Sequence, residues 1–147
     1  HWEVRSLTEV RKRFDRDLFK ECDEKARVCT TNYLTSIGYT VSEHPNRYAQ
    51  DLIACIDGME HMVECEIKLV WAGKEFPYPT VQLPERKKKF FNPATQFFIW
   101  NRDCTDAVCF WSHDISDLKP VEVPNKYVYS GEYFFQIPMS LVERISV

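Results

Sequence analysis

The chain lacks any apolar run approaching the ~20 residues that would span a bilayer. No signal-peptide pattern is visible near its start. The expectation is a cytoplasmic, intracellular protein without a membrane partner. The first residue is His1, not Met, so a removed preceding segment stays open. No CxxC pair occurs among the six cysteines, Cys22, Cys29, Cys55, Cys65, Cys104 and Cys109. Their spacing is not that of a small secreted disulfide scaffold. Most fall at apolar positions, where a free thiol behaves as a small hydrophobe, which points to a reducing compartment. Net positive charge is lacking too, with 19 Lys and Arg against 22 Asp and Glu. A wide basic surface for duplex nucleic acid would normally make the chain positive, so −3 implies a small focused site or a transient grip. No repeat, low-complexity tract or linker divides the 147 residues, which read as a single domain, 1–147, with a sizeable core.

What is present is an ordinary globular balance with many aromatics, 14% of residues, which favours a β-containing core. From Leu7 to about Ile37 apolar residues recur at spacings of three, four and seven, predicting one long helix or two. Gly38 is the candidate cap. A short strand is expected at Tyr39–Val41, a hairpin over residues 48–71, and a short extended piece at Thr80–Leu83. Pro84 suits the first turn of a helix through Phe91. Gln96–Trp100 and Ala107–Trp111 read as strands. Lys119–Ser130 reads as a long loop, Tyr133–Ile137 as a strand, and Pro138–Val142 as a closing turn or helix. The order of elements predicts an α/β (α+β) domain, a mixed central sheet flanked by helices.

The hairpin carries the chemistry. With Asp57-Gly58 as a two-residue turn, Ile56 pairs with Met59, Cys55 with Glu60, and so on back to Asp51 opposite Glu64. Side chains alternate, so Leu52, Ala54, Ile56, Met59, His61, Val63, Cys65, Ile67 and Leu69 share an apolar face. Asp51, Glu64, Glu66 and Lys68 share the other. Asp51 and Glu66 become diagonal neighbours, about 7–8 Å apart at the backbone, which one cation between the carboxylates would bridge. Alternating acid and lysine on a strand is more often a solvated face. Here it comes with an acid in register and an apolar opposite face.

Asp51, Glu66 and Lys68 in this setting resemble the motif of the PD-(D/E)xK nuclease superfamily, over roughly residues 23–111. Gln50 stands where the family name has proline. The resemblance implies a restriction-endonuclease-like fold and a metal-dependent nuclease, with DNA favoured over RNA. It implies Mg²⁺ or Mn²⁺ held by Asp51 and Glu66, with the Ile67 carbonyl as a third ligand and Glu64 as a substitute or helper. Lys68 would orient or help deprotonate water, or stabilise charge at phosphorus. Glu24 is the candidate for the helical acid of many relatives, with Glu21 as competitor. Arg86 and Lys87, in the run from Arg86 to Lys89, are candidate phosphate contacts. Gln82, Tyr48 and Trp71 are weaker candidates for the cleft rim. A core of this size implies a nuclease that reads nucleic-acid structure, forms a homodimer, or works with a partner protein that supplies specificity. The rival reading is a silent nuclease-fold module, binding nucleic acid or protein within a larger assembly. A cysteine hydrolase is disfavoured, because no Cys–His pair sits in a nucleophile context. Zinc at Cys104, Cys109 and His113 is disfavoured because those positions simply alternate along a strand and lack a fourth ligand.

Overall fold

The helical spacing resolves into one continuous helix, α1 (Trp2–Ser36). The computed structural model describes residues 2–125 and 128–147, with side chains described for 16–124 and 131–147. α1 docks through Ala26, Thr30 and Leu34, three nearly inaccessible positions four residues apart, hence on one stripe. Gly38 (φ +105°) ends it. The Gly38 N–H donates to the Thr35 carbonyl (3.1 Å) and the Tyr39 N–H to the Leu34 carbonyl (3.0 Å). These are the paired bonds of a Schellman turn, whose left-handed residue favours glycine.

Nine strands follow among the described residues: β1 (Thr40–Glu43), β2 (Leu52–Ile56), β3 (Met59–Ile67), β4 (Thr80–Pro84), β5 (Thr95–Trp100), β6 (Asp106–Trp111), β7 (Val121–Asn125), β8 (Val128–Pro138) and β9 (Glu143–Ser146). A 3-10 helix over Glu85–Phe90 joins β4 to β5. Six strands form a mixed sheet in the order β1-β2-β3-β5-β6-β9, and three form a second sheet, β4-β8-β7. Among the described residues only the β3–β5 pairing is parallel.

The hairpin forms in the expected register, with Ile56 opposite Met59 and Leu52 opposite Val63. Asp57 (φ +51°) and Gly58 (φ +77°) supply the two positive φ angles of a type I′ turn. Both strands are shorter than expected, ending at Leu52 and Ile67. The apolar face is core where α1 covers it: Leu52, Ala54, Val63 and Cys65 pack with Ala26, Leu34, Phe98 and Trp100. Toward the turn it opens, and Met59 is 73% exposed.

The expected helices on both faces are corrected. On the face opposite α1, Phe97, Ile99, Val108 and Phe110 pack on Val81, Leu83, Phe135 and Ile137 of β4 and β8. Alternation gives that second sheet an apolar face of its own, so a sheet takes the place of a helix layer. The loop expected at residues 119–130 is corrected as well. It contains β7 and the start of β8, antiparallel partners with an irregularity between Val123 and Asn125. Residues 126 and 127 of that stretch lie outside the described residues. The closing segment is a 3-10 turn, Met139–Leu141, followed by β9. All six cysteines are unbridged. No helix among the described residues is long and apolar enough to cross a membrane.

α1 is keyed to the sheet by one buried polar contact. The Trp100 indole N–H donates to Thr30 Oγ1 (2.8 Å), whose hydroxyl donates to the Ala26 carbonyl (2.7 Å). Thr30→Val keeps the shape and leaves the indole without an acceptor. A loss of about 2 kcal/mol is expected, measured as the shift in urea midpoint at unchanged slope.

Candidate metal and phosphodiester site

β2 begins at Leu52, but Asp51 just before it is fastened across the hairpin. Its N–H donates to Glu64 Oε1 (3.0 Å). Its Oδ2 accepts from the Cys65 backbone N–H (3.0 Å) and lies 3.8 Å from the Cys65 thiol. The expected pairing of Asp51 with Glu64 is thus made through side chains where the strand ladder stops. Among the described residues, Oδ1 of Asp51 receives no hydrogen bond.

Glu64 is buried, 6% exposed. Its second oxygen, Oε2, accepts from Lys87 Nζ at 2.8 Å. Burial and the Asp51 charge push its carboxyl up to about 7, although Lys87 and the Asp51 N–H pull the other way. Glu66 lies two residues on, so on the same face, and reaches solvent. The protein packed around its carboxyl nevertheless raises its pKa, against the pull of Lys87, Lys68 and Arg86. Accessibility and desolvation coexist here because the group sits on the floor of a concavity. A cavity of about 20 Å³, room for about one water, is lined by Glu64, Glu66 and Lys87 and walled by Phe97 and Ile99.

Of Asp23, Glu24 and Glu21 on α1, Asp23 is the one coupled electrostatically to this cluster. Burial and the Asp51 charge raise the Asp23 pKa, and Asp23 in turn raises that of Glu66. Glu24 and Glu21, like Asp23 itself, lie on exposed parts of α1. The missed signal was Asp23 standing three and seven residues before Ala26 and Thr30, on the stripe that docks.

Lys68 follows β3, and its N–H donates to the Trp100 carbonyl (2.8 Å). Its amine lies 5.1 Å from the centre of the Tyr78 ring, to one side of the carboxylates. Ile67 ends β3 opposite Trp100. Lys87, expected as a phosphate contact, is bonded to Glu64, and Arg86 beside it is exposed. Gln82 is exposed on β4. Tyr48 is 75% exposed, with the Arg47 guanidinium 5.0 Å over its ring. Trp71, a suggested rim residue, is core at 1% exposure.

Thr95 went unnoticed in the sequence, and Gln50 was noted there only as the residue in place of proline. Gln50 is buried, and its Nε2 donates to Thr95 Oγ1 (3.1 Å). That hydroxyl donates to the Phe90 carbonyl at the end of the 3-10 helix. A buried relay therefore joins the neighbour of Asp51 to the helix that carries Lys87. This gives a physical use for glutamine where the motif has proline.

Carboxylate oxygens are the donors that hard divalent cations take, so Asp51, Glu64, Glu66 and Asp23 fit Mg²⁺ or Mn²⁺ in type. Among the described residues no three His, Cys, Asp or Glu side chains converge closely enough to hold an ion. Of the cysteines weighed for zinc, Cys109 has its thiol 3.9 Å from a Glu143 carboxylate oxygen. No protein-family model matches the chain, and no curated protein or solved structure matches it.

The raised Glu64 pKa has a stability consequence. Its folded value of about 7 exceeds the ordinary 4.5, so the folded state holds the proton more tightly. Glu64 thus contributes stability in full below pH 4.5, and this is lost as pH rises through 7. Glu64→Gln imitates the protonated form. The melting temperature of the variant minus that of wild type should therefore increase between pH 4.5 and pH 8 in metal-free buffer. A difference independent of pH would refute the assignment.

Proposed function

We propose that this protein is a Mg²⁺- or Mn²⁺-dependent nuclease of the PD-(D/E)xK kind, on a restriction-endonuclease-like fold, hydrolysing phosphodiester bonds in DNA in preference to RNA. One observation carries the reading. Asp51 is bonded to the backbone of Cys65, between Glu64 and Glu66, on the face where Asp23, Lys87, Lys68 and Arg86 act electrostatically. The topology supports it: a helix, three antiparallel strands bearing the motif, then a strand parallel to the third. The connection to that strand runs through β4 and a 3-10 helix, where the motif's usual surroundings have an α-helix.

Asp51 and Glu66 would hold the cation, with the Ile67 carbonyl available as a third oxygen and Glu64 beside them. When bound, the divalent ion supplies Lewis acidity to the phosphodiester and to an attacking water. Lys68 orients that water or offsets charge developing at phosphorus. Lys87 holds Glu64 while no substrate is present, and Arg86 beside it faces an approaching phosphate as a fixed positive charge. A homodimer or a partner protein would supply specificity.

A second reading, a silent module on the same fold, is favoured by one observation: Lys87 is already bonded to Glu64, in a cluster where no ready-made ligand triad stands among the described residues. Cleavage of labelled single-stranded, duplex and branched DNA, with an RNA control, separates the two. Cutting in Mn²⁺ but not in EDTA is expected, with a loss of about 10²-fold or more in Asp51→Ala and Lys68→Ala. No cutting on any substrate, together with no heat of Mn²⁺ binding in calorimetry, would establish the silent module instead.

A further inference from the structure

Beside the carboxylates lies a groove of about 230 Å³ that the proposed chemistry does not use. It shares one wall residue, Ile99, with the small cavity next to Glu64 and Glu66. Its lining includes Lys68, Phe76, Tyr78, Thr80 and Gln82, and contains no acid. Lys68, two residues along the chain from Glu66, is the one charged side chain of that lining.

The aromatic wall is built to stay in place. Tyr78 sits between Pro77 and Pro79, whose rings fix φ. It meets Phe76 edge to face at 5.5 Å, and Phe76 meets the buried Trp71 ring at 5.1 Å and 88°. The Trp71 indole N–H donates to the Glu75 carbonyl at 2.9 Å, pinning the start of the segment. Tyr78 remains 40% exposed on this support. Across the groove, Gln82 on β4 presents an amide, which can both donate and accept. An exposed ring on a rigid support, a cation and an amide, in a slot too small for a duplex, suit one planar heterocycle joined to a phosphate.

We propose that this groove is a base-binding subsite, in which one unpaired nucleotide next to the scissile phosphate stacks on Tyr78 and is held at its edge by Gln82. The inference rests on the nuclease reading and narrows it to strands with unpaired bases, because a paired base has both faces covered by its neighbours. Stacking on an aromatic side chain is tolerant of sequence, since every base has a π-face. The subsite therefore selects for structure, not sequence. The Lys68 amine lies over one face of the Tyr78 ring, so a base that stacks on that face displaces the amine toward the adjoining phosphate.

The test is fluorescence anisotropy of a labelled short thymidine strand, free or paired with its complement. It uses the full chain in EDTA, so that no cutting occurs. Wild type should bind the free strand more tightly than the duplex. Tyr78→Ala should weaken free-strand binding about tenfold and leave duplex binding unchanged, while Tyr78→Phe keeps the wild-type affinity. Circular dichroism confirms that each variant is folded. Equal free-strand affinity of wild type and Tyr78→Ala, or wild-type affinity for the duplex matching that for the free strand, would overturn the subsite. Its failure is distinguishable from that of the nuclease. Metal-dependent cutting with no effect of Tyr78→Ala on binding leaves the nuclease and removes the subsite. Tyr78-dependent binding without cutting does the reverse.

Discussion

Two hydrogen bonds at one residue organise this surface. Asp51 donates its N–H to the Glu64 carboxylate and accepts the Cys65 N–H on its own. A sheet normally satisfies such groups with backbone from the next strand. Here β2 starts one residue later, so a carboxylate takes the role of a missing ladder partner. The same bonds satisfy the backbone of β3 and draw acids together on one face. Separating the acids would leave Cys65 N–H, almost fully buried, without an acceptor. The structural requirement and the crowding of negative charge are therefore one interaction.

Crowding has a cost that the surroundings only partly offset. Asp51 raises the pKa of both Glu64 and Asp23, and Asp23 raises that of Glu66. Lys87 is the one cation bonded directly to an acid of the cluster among the described residues. Lys68 and Arg86 act on Glu66 through space. Such a set gains from any further cation, and a divalent ion would offset more charge than a second lysine. This is the physical content behind the proposed metal preference, and it does not depend on family likeness.

The hairpin was legible in the sequence because its signals are local. Asp57-Gly58 fixes the turn, and strict alternation then fixes every partner back to Leu52. The long helix and its Gly38 end were legible for the same reason. β9 was not, because its burial pattern offers a single inward residue, Ile145, and one apolar position has no period. β7 was hidden because it is an edge strand. Its exposed Val121 and Glu122, and Pro124, tolerated at an edge, look like loop chemistry. Finding Asp23, where Glu24 and Glu21 were the candidates, required knowing which stripe of α1 docks, and that stripe is marked by Ala26 and Thr30, small residues that a search for large apolar spacing passes over. Lys87 belonged to a charge run in which sequence alone could not separate a buried partner from its solvated neighbours.

The second sheet changes what the site can be. It covers the core face that an α-helix was expected to cover, and the 3-10 helix that leaves it carries Lys87 onto Glu64. The height of that helix over the main sheet is set by Phe90, which is buried, and by the hydroxyl of Thr95 on its carbonyl. Thr95 in turn is held by Gln50, next to Asp51. Asp51 and Lys87 thus meet Glu64 from opposite sides, and both are positioned through the same buried threonine. Lys68 has no part in this frame; its side chain leans on Tyr78, on a proline-braced segment that precedes β4. The two lysines therefore answer to different constraints. Lys87 is fixed by the fold and balances a structural charge, whereas Lys68 is fixed by an aromatic ring at the edge of an open groove. Under the proposed function, the lysine beside the groove is the one whose position an arriving nucleotide can change.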